Sequence, residues 1–356
     1  MAQNASRWST IILLLGLAGA LLTFTGNSAP QPVVPAEDPR CGADLRLYRS
    51  VVAEVASGVD YYTVADRELR RWGFPVGCLF NWRLPTYAWC LAWLPGEAWI
   101  QPALWLLFAV GVGLLLRSEL QTLGLAGGLI FALGCLGIVK WSWDGEAYYA
   151  QEVWLAGWIL LSLACRRQGW HRLAAVAGLI GLFWRELALP FAFVGWLQSA
   201  RQRRWQELAI WTLGMMAWGL FLAWHAGQVR QHLSAADLAA SSGIWGWVEG
   251  GGVSFVVLAN RMNGSLYALP GWLVWSLLWL GLVGLTKWQD EQGETQAVTL
   301  AAYLAAFAIV GQPMNMYWGL AFAPLLPSGW CRAVPAMQEL WRSAAWPRGL
   351  FRPVTA

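Results

Sequence analysis

Long apolar stretches, most of them close to bilayer-spanning length, recur along the whole 356-residue chain. A helix rises 1.5 Å per residue, so about 20 apolar residues cross the hydrocarbon core of a bilayer. Hydrophobic residues make up 58% of the chain and charged residues only 12%, which is too much apolar surface for one soluble core. The sequence therefore predicts an all-α, polytopic membrane protein. The predicted apolar stretches are 10–25, 98–116, 121–139, 148–164, 173–199, 208–225, 267–286, 296–311 and 317–330.

Basic residues in the short connectors predict which side of the membrane each connector occupies. Cytoplasmic connectors of membrane proteins carry an excess of Lys and Arg. This rule assigns 166–172, 201–204, Lys287 and the segment after residue 331 to the cytoplasm. Both termini are then cytoplasmic, and large extracytoplasmic loops cover 26–97 and 226–266.

The stretch 173–199 lies between two basic clusters on the same side, so it has to cross an even number of times. It is only 27 residues long, and WRELALP places Arg185, Glu186 and Pro190 in its middle. We therefore predict two short half-helices that meet at a polar tip within the membrane. The total becomes about ten hydrophobic segments.

The expected domain organisation is simple. Residues 1–331 form one transmembrane domain, and 332–356 form a short cytoplasmic tail, with the plasma (inner) membrane as the expected location. Many of the 28 Trp residues lie near segment ends, where indole rings meet lipid headgroups. The net charge of +4 is scattered, which argues against a nucleic-acid partner and for contact with membrane lipid. Whether Cys41 and Cys78 form a disulfide stays open.

Polar chemistry is concentrated in the first extracytoplasmic loop, where residues 40–83 hold 12 of the 44 charged residues. Apolar residues recur there at helical spacing, and Gly58 ends the pattern. We predict an amphipathic helix over 44–57 that lies on the membrane surface, followed by Tyr61 and Tyr62 in a turn. The apolar stripe is Leu45, Tyr48, Val52 and Val55, and the polar face is Arg46, Arg49, Ser50, Glu54 and Ser57.

Asp44 opens this predicted helix one turn before Tyr48, beside the apolar stripe. A carboxylate at that depth can act as a base toward a lipid-borne substrate. Asp is also a common N-cap, where its side chain accepts a backbone hydrogen bond. The local sequence leaves both roles open.

The order of motifs resembles the GT-C fold glycosyltransferases, multi-spanning enzymes that take a sugar from a polyprenyl-phosphate carrier. The likeness rests on the first span, a D-x-x-x-Y helix that ends in G-x-D-Y-Y, and N-W-R-L-P before the second span. It extends to KWSWDGEAYY, to WRELALP, which resembles the R-E element of the family, and to YWGLAFAPLLPSG, which resembles its closing span. The C-terminal soluble domain of some members has no counterpart in the residues after 331.

The resemblance implies roles for individual residues. Asp44 matches the catalytic base, in an inverting transfer from a polyprenyl-phosphate-linked sugar donor. Asp144 and Glu146 match the second acidic element, which positions the acceptor or binds a divalent cation with the donor phosphate, or else they form an ordinary polar turn. Arg185, in the R-E element, is the expected contact of the donor phosphate. Arg261 is a second candidate for that contact, because a guanidinium matches phosphate oxygens bidentately. The residues expected in the substrate cavity are Tyr48, Tyr61, Tyr62 and Arg83.

Structural roles are the alternative for both phosphate-binding candidates. Arg185 can belong to a buried ion pair, and Arg261 can extend to the membrane edge. Two other protein classes also fit part of the pattern. A transporter or lipid flippase uses broken helices, but would show two of them in corresponding halves. A surface-polysaccharide polymerase would carry its large charged loop late in the chain.

Overall fold

The computed structural model describes residues 2–25, 43–239 and 250–344, and all regular secondary structure in these ranges is helical. This confirms the all-α prediction for that part of the chain. The α-helices are α1 Ala2–Thr25, α2 Ala43–Ala56, α3 Tyr61–Arg71, α4 Leu79–Trp82, α5 Pro85–Ala92, α6 Ile100–Val139, α7 Gln151–Arg167, α8 His171–Trp184, α9 Leu189–Arg201, α10 Trp205–Gln231, α11 Ala235–Ala239, α12 Gly252–Asn260, α13 Gly271–Thr286, α14 Glu291–Val310, α15 Leu326–Trp330 and α16 Ala333–Ser343.

Three helical stretches in the described ranges are long and apolar enough to cross a membrane, namely Glu97–Ser142, Trp205–Gln231 and Glu291–Val310. Shorter apolar helices cover Thr10–Thr23, His171–Trp184 and Gly271–Thr286. The composition of these helices agrees with the prediction of a membrane protein.

Helix α6 folds back on itself. A straight helix of 40 residues would be about 60 Å long, yet Gln101 Nε2 near its start donates a hydrogen bond to Ser142 O just past its end, at 2.8 Å. The reversal occurs at Gly124, whose φ of 68° lies in the left-handed region that favours glycine. The predicted stretches 98–116 and 121–139 are therefore the two arms of one helical hairpin.

The prediction of two half-helices within 173–199 is confirmed. Helix α8 ends at Trp184, a short 3₁₀ turn covers Glu186–Ala188, and α9 begins at Leu189. The outer ends of the pair lie together, since Arg204 and His171 are 3.2 Å apart between Nη1 and Nδ1.

Most of the connectors predicted to be cytoplasmic lie together at one end of the helix bundle. Arg166 bonds to Glu207 and, at 3.2 Å, to Glu291, which also receives both Nη atoms of Arg204 at 2.5 Å. We call this the basic end. Ion pairs between other elements at this end are Arg167–Asp290 at 3.1 Å, Lys287–Glu339 at 2.5 Å and Arg332–Glu119 at 2.9 Å.

Helices α1 and α16 also pack toward the basic end. Leu340 and Ala336 of α16 are buried against Val283, close to the end of α13. Ile12 and Leu13 of α1 join the same cluster. The segment predicted as a cytoplasmic tail therefore begins with a docked amphipathic helix.

The prediction of a helix in the first loop is confirmed by α2, whose apolar face is wider than expected and packs in the protein core, while its position on the membrane surface stays a prediction. Leu47 and Val51 are buried with Tyr48 and Val52, whereas Leu45 and Val55 are only half-buried. Two backbone hydrogen bonds cap the C-terminus of α2, one from Gly58 N to Val55 O at 3.0 Å and one from Val59 N to Glu54 O at 3.0 Å. This is the Schellman pattern that Gly58, with a φ of 93°, permits.

The prediction of a turn at Tyr61 and Tyr62 is wrong, because both residues open helix α3. Asp60 caps this helix by accepting a hydrogen bond from Thr63 N at 3.0 Å. Asp is common at helix N-caps as well as in turns, so the sequence around Asp60 fits either structure. The first loop is thus largely helical, since it contains α2 to α5.

The closing stretch 317–330 is not one continuous α-helix, in contrast to the prediction. It consists of 3₁₀ helices at Pro313–Ala321 and Ala323–Leu325, followed by α15. Prolines remove backbone donors and prevent α-helical pairing. Residues 318–329 are buried by the rest of the protein, the setting in which irregular backbone is tolerated at membrane depth.

Candidate functional site

Five charged side chains from separate parts of the sequence converge at the end of the bundle opposite the basic end. They are Asp44 in α2, Arg83 between α4 and α5, Glu152 at the start of α7, and Arg185 and Glu186 where α8 breaks before α9. Arg83, Glu152 and Arg185 all act electrostatically on Asp44. We call this group the charged cluster.

Asp44 has no protein partner among the described residues. Helix α2 begins at Ala43, so Asp44 lies inside the first turn rather than at the N-cap, and no backbone N–H of a described residue donates to its side chain. Burial raises the pKa of its carboxyl, while the positive charge of Arg83 lowers that pKa, Glu152 raises it and Arg185 lowers it. A carboxyl group with a raised pKa and an unused lone pair is suited to take up a proton.

Arg83 is buried, with neutral partners only. Its Nε donates to Tyr48 Oη at 2.9 Å, Nη1 donates to Phe80 O at 2.7 Å, and Nη2 donates to Tyr317 Oη at 3.4 Å. No carboxylate of residues 43–239 or 250–344 lies within 4 Å of it. A guanidinium has five N–H groups, so two have no partner among the described residues.

The backbone at Arg83 is strained. Its φ of 59° and ψ of 166° lie in a region that side chains other than glycine rarely adopt. Tyr61 Oη helps to hold this conformation, because it donates to Trp82 O and lies 3.3 Å from Arg83 O. The strain is therefore located at the arginine with the larger electrostatic influence on Asp44.

Arg185, in contrast, is paired directly with two carboxylates. Its Nε donates to Glu152 Oε1 at 2.7 Å and its Nη1 bonds to Glu186. Arg185 and Glu152 are only 1% and 2% exposed. A buried cation needs partners of this kind, and Glu152 and Glu186 cancel its charge locally.

The aromatic residues assigned to the substrate cavity take different positions. Tyr48 and Tyr61 line a cavity of about 10 Å³ with Arg83, which is room for one water-sized molecule. Burial raises the pKa of Tyr48 well above its ordinary value, so this phenol stays protonated. Tyr62 does not line this cavity, and its Oη lies 2.9 Å from His225 Nδ1.

Asp144 and Glu146 lie at the same end of the bundle but outside the charged cluster. Arg49 Nη1 of α2 contacts Glu146 Oε1 at 2.5 Å, and Arg49 Nε contacts Glu97 Oε1 at 3.0 Å. These are solvent-facing ion pairs, which stabilise only slightly. Their geometry ties the connector after α6 to α2.

Arg261, the second arginine assigned to the donor phosphate, is also outside the charged cluster. Its Nη1 donates to Tyr267 O at 2.7 Å. The guanidinium therefore supports the turn between α12 and α13. None of the electrostatic influences on Asp44 comes from it.

The sequence did not single out Glu152 or Tyr317, although both belong to this site. Glu152 lies within the predicted apolar stretch 148–164, where an acidic residue is costly unless it has a partner. An acidic residue inside an apolar stretch was therefore the sequence signal that could have identified Glu152 as a site residue. Tyr317 carries no such signal, because a tyrosine near the end of an apolar stretch is common at membrane interfaces.

No protein-family model, curated protein or solved structure matches this chain. Within residues 2–25, 43–239 and 250–344, no group of three or more His, Cys, Asp or Glu side chains is arranged to hold a metal ion.

Proposed function

We propose that the protein is an integral membrane glycosyltransferase of the GT-C type, which moves a sugar from a polyprenyl-phosphate carrier to an extracytoplasmic acceptor. One observation carries the proposal. Asp44, a carboxylate without a hydrogen-bond partner among the described residues, lies within electrostatic range of Arg83, a buried guanidinium whose described contacts are all neutral. Base and cation are the two groups that glycosyl transfer from a phosphate leaving group needs.

In the proposed reaction Asp44 removes the proton from an acceptor hydroxyl. The acceptor oxygen forms a bond to the anomeric carbon of the sugar, and the bond from that carbon to the phosphate oxygen breaks. The electron pair of the broken bond stays on the phosphate, which leaves as polyprenyl phosphate. Attack opposite the leaving group inverts the anomeric carbon. Arg83 stabilises the charge that the phosphate gains.

Arg83 takes the phosphate role that the sequence assigned to Arg185 and Arg261. The formal charge of the cluster is one unit negative, from two arginines and three carboxylates. Direct contacts favour Arg83 over Arg185 for this role, because the Coulomb energy between two charges falls with their distance. Arg185 touches Glu152 and Glu186, whereas the direct partners of Arg83 are a carbonyl and two phenols.

The membrane arrangement belongs to the same proposal. We place the basic end in the cytoplasm and the charged cluster outside it, as the excess of Arg in the connectors suggests. The chain then has about ten hydrophobic segments, among them the hairpin of α6 and the pair α8 and α9. Both termini are cytoplasmic, in the plasma (inner) membrane.

Cysteine labelling tests this arrangement. Gln289 is exposed and follows α13 at the basic end, so Gln289→Cys should react with a membrane-impermeant thiol reagent only after the membrane is opened. Ser57→Cys, next to the end of α2, should react in intact cells or spheroplasts. Labelling of the Gln289→Cys variant from outside would reverse the orientation and contradict the proposal.

The activity test uses the purified full-length protein with a panel of polyprenyl-phosphate monosaccharides. The expected result is sugar-dependent release of polyprenyl phosphate, accelerated by a hydroxyl acceptor. A panel in which every donor stays intact would contradict the proposed function.

A further inference from the structure

Gln151, the first residue of α7, has a side-chain amide that the protein leaves unused. The residue is 1% exposed, and its Oε1 has no hydrogen-bond partner. Within the described residues the amide makes no hydrogen bond at all, and Gln151 lines the same small cavity as Arg83 and Tyr48. A buried amide without a partner is costly, so native proteins keep few of them.

Asn315 presents a second unused group near Arg83. It is 3% exposed, and its Nδ2 has no hydrogen-bond partner. Its Oδ1 accepts a hydrogen bond from Tyr317 Oη at 3.2 Å, and the same phenol receives Arg83 Nη2 at 3.4 Å. Arg83 is thus adjacent to Gln151 through the cavity and to Asn315 through Tyr317.

The uncommitted groups around Arg83 specify a ligand chemistry. The guanidinium has two free N–H groups for an anion, Gln151 offers a free acceptor, and Asn315 offers free donors. A bare phosphate with an apolar chain would leave both amides unpaired. A phosphate that carries a sugar would satisfy them with its hydroxyl groups.

We propose that Gln151 and Asn315 bind the sugar hydroxyls of the donor whose phosphate contacts Arg83, so that the site selects a sugar phosphate over the bare carrier. This inference rests on the proposed function. The cavity holds about 10 Å³ as it stands, so a sugar ring fits only when the residues that line it move apart. Arg83, whose backbone is strained, is one of these residues.

Binding to two carriers tests the inference. Native mass spectrometry of the purified full-length protein measures the affinity for polyprenyl phosphate and for polyprenyl-phosphate monosaccharides. Wild-type protein should prefer the best sugar-bearing carrier about 10-fold or more. Gln151→Met and Asn315→Leu should each reduce that preference about 5-fold, the effect of losing one hydrogen bond of ordinary strength. Affinity for the bare carrier should not change.

Gln151→Met also serves as the control for folding. Gln151→Met removes an amide that no protein group uses, so its unfolding temperature should equal or exceed that of the wild type. A loss of preference with unchanged bare-carrier affinity and unchanged unfolding temperature supports the sugar subsite.

The failures of the two proposals differ. Wild-type protein that binds neither carrier contradicts the proposed function. Wild-type protein that prefers the sugar-bearing carrier, together with variants that keep the full preference, overturns only the assignment of Gln151 and Asn315. Equal affinity for a soluble sugar 1-phosphate supports the sugar subsite and contradicts a lipid-carried donor.

Discussion

Asp44→Asn is expected to lower sugar-transfer turnover by about 10²- to 10⁴-fold, the usual contribution of a general base. The amide has nearly the shape of the carboxylate but cannot accept the proton of the acceptor hydroxyl. The protein should fold normally, because Asp44 makes no hydrogen bond among the described residues that the change would break. Turnover of the purified variant, measured as release of polyprenyl phosphate, checks this.

Asp60→Asn provides the matched control. Asp60 caps α3 in the same loop, through Thr63 N at 3.0 Å, and asparagine caps about as well as aspartate. This variant should keep near-normal turnover. Near-normal turnover of Asp44→Asn as well would remove Asp44 from the mechanism and direct the search for a base to Asp144 and Glu146.

Arg83→Met is expected to lower turnover by about 10²- to 10³-fold, the effect of removing one donor from the site where transition-state charge develops. It should also move the acidic limb of the turnover–pH profile to higher pH. Arg83 lowers the pKa of Asp44, so its removal raises that pKa, and a higher pH is then needed to deprotonate the base. A full pH profile of the purified variant measures both effects.

A second substitution at Arg83 separates the effect of its charge from the effect of its geometry, and a substitution at Arg71 provides the control. Arg83→Lys keeps the positive charge but cannot reproduce the three-way fork, so turnover should fall while the acidic limb stays near its wild-type position. Arg71→Met, at an exposed arginine of the same loop, should change neither. An acidic limb that stays in place in Arg83→Met would show that Asp44 is not the group that titrates.

Patterns with a local physical cause predicted much of the fold. The pair α8 and α9 followed from basic clusters on both sides of a 27-residue stretch and from Arg185, Glu186 and Pro190 within it. The face and the end of α2 followed from helical spacing and Gly58. In each case the deciding residues lie within one or two turns of the element, where sequence patterns are informative.

The errors arose where tertiary packing decides. Tyr61 and Tyr62 were predicted to lie in a turn, yet they are the first two residues of a helix and their side chains are buried. The stretch 317–330 is apolar like a membrane span, but contact with protein on all sides permits its broken 3₁₀ backbone. Apolar composition does not distinguish burial in lipid from burial in protein.

Half of the site was accessible from the sequence. Asp44, Tyr48 and Arg83 were predicted, since they lie in one loop with a recognisable order of motifs. The residues that complete the site, Glu152, Tyr317 and those at the break after α8, come from distant parts of the sequence. Only the folded chain shows that Arg185 is already paired with carboxylates, and therefore that Arg83 is the cation without one.

The most direct test of this account is a density map of the purified protein with a polyprenyl-phosphate monosaccharide bound. We expect the phosphate within hydrogen-bond distance of Arg83, the anomeric carbon facing Asp44, and the sugar hydroxyls within hydrogen-bond distance of Gln151 and Asn315. A donor bound instead at the cavity of about 280 Å³ beside Lys287 and Trp288, at the basic end, would contradict it.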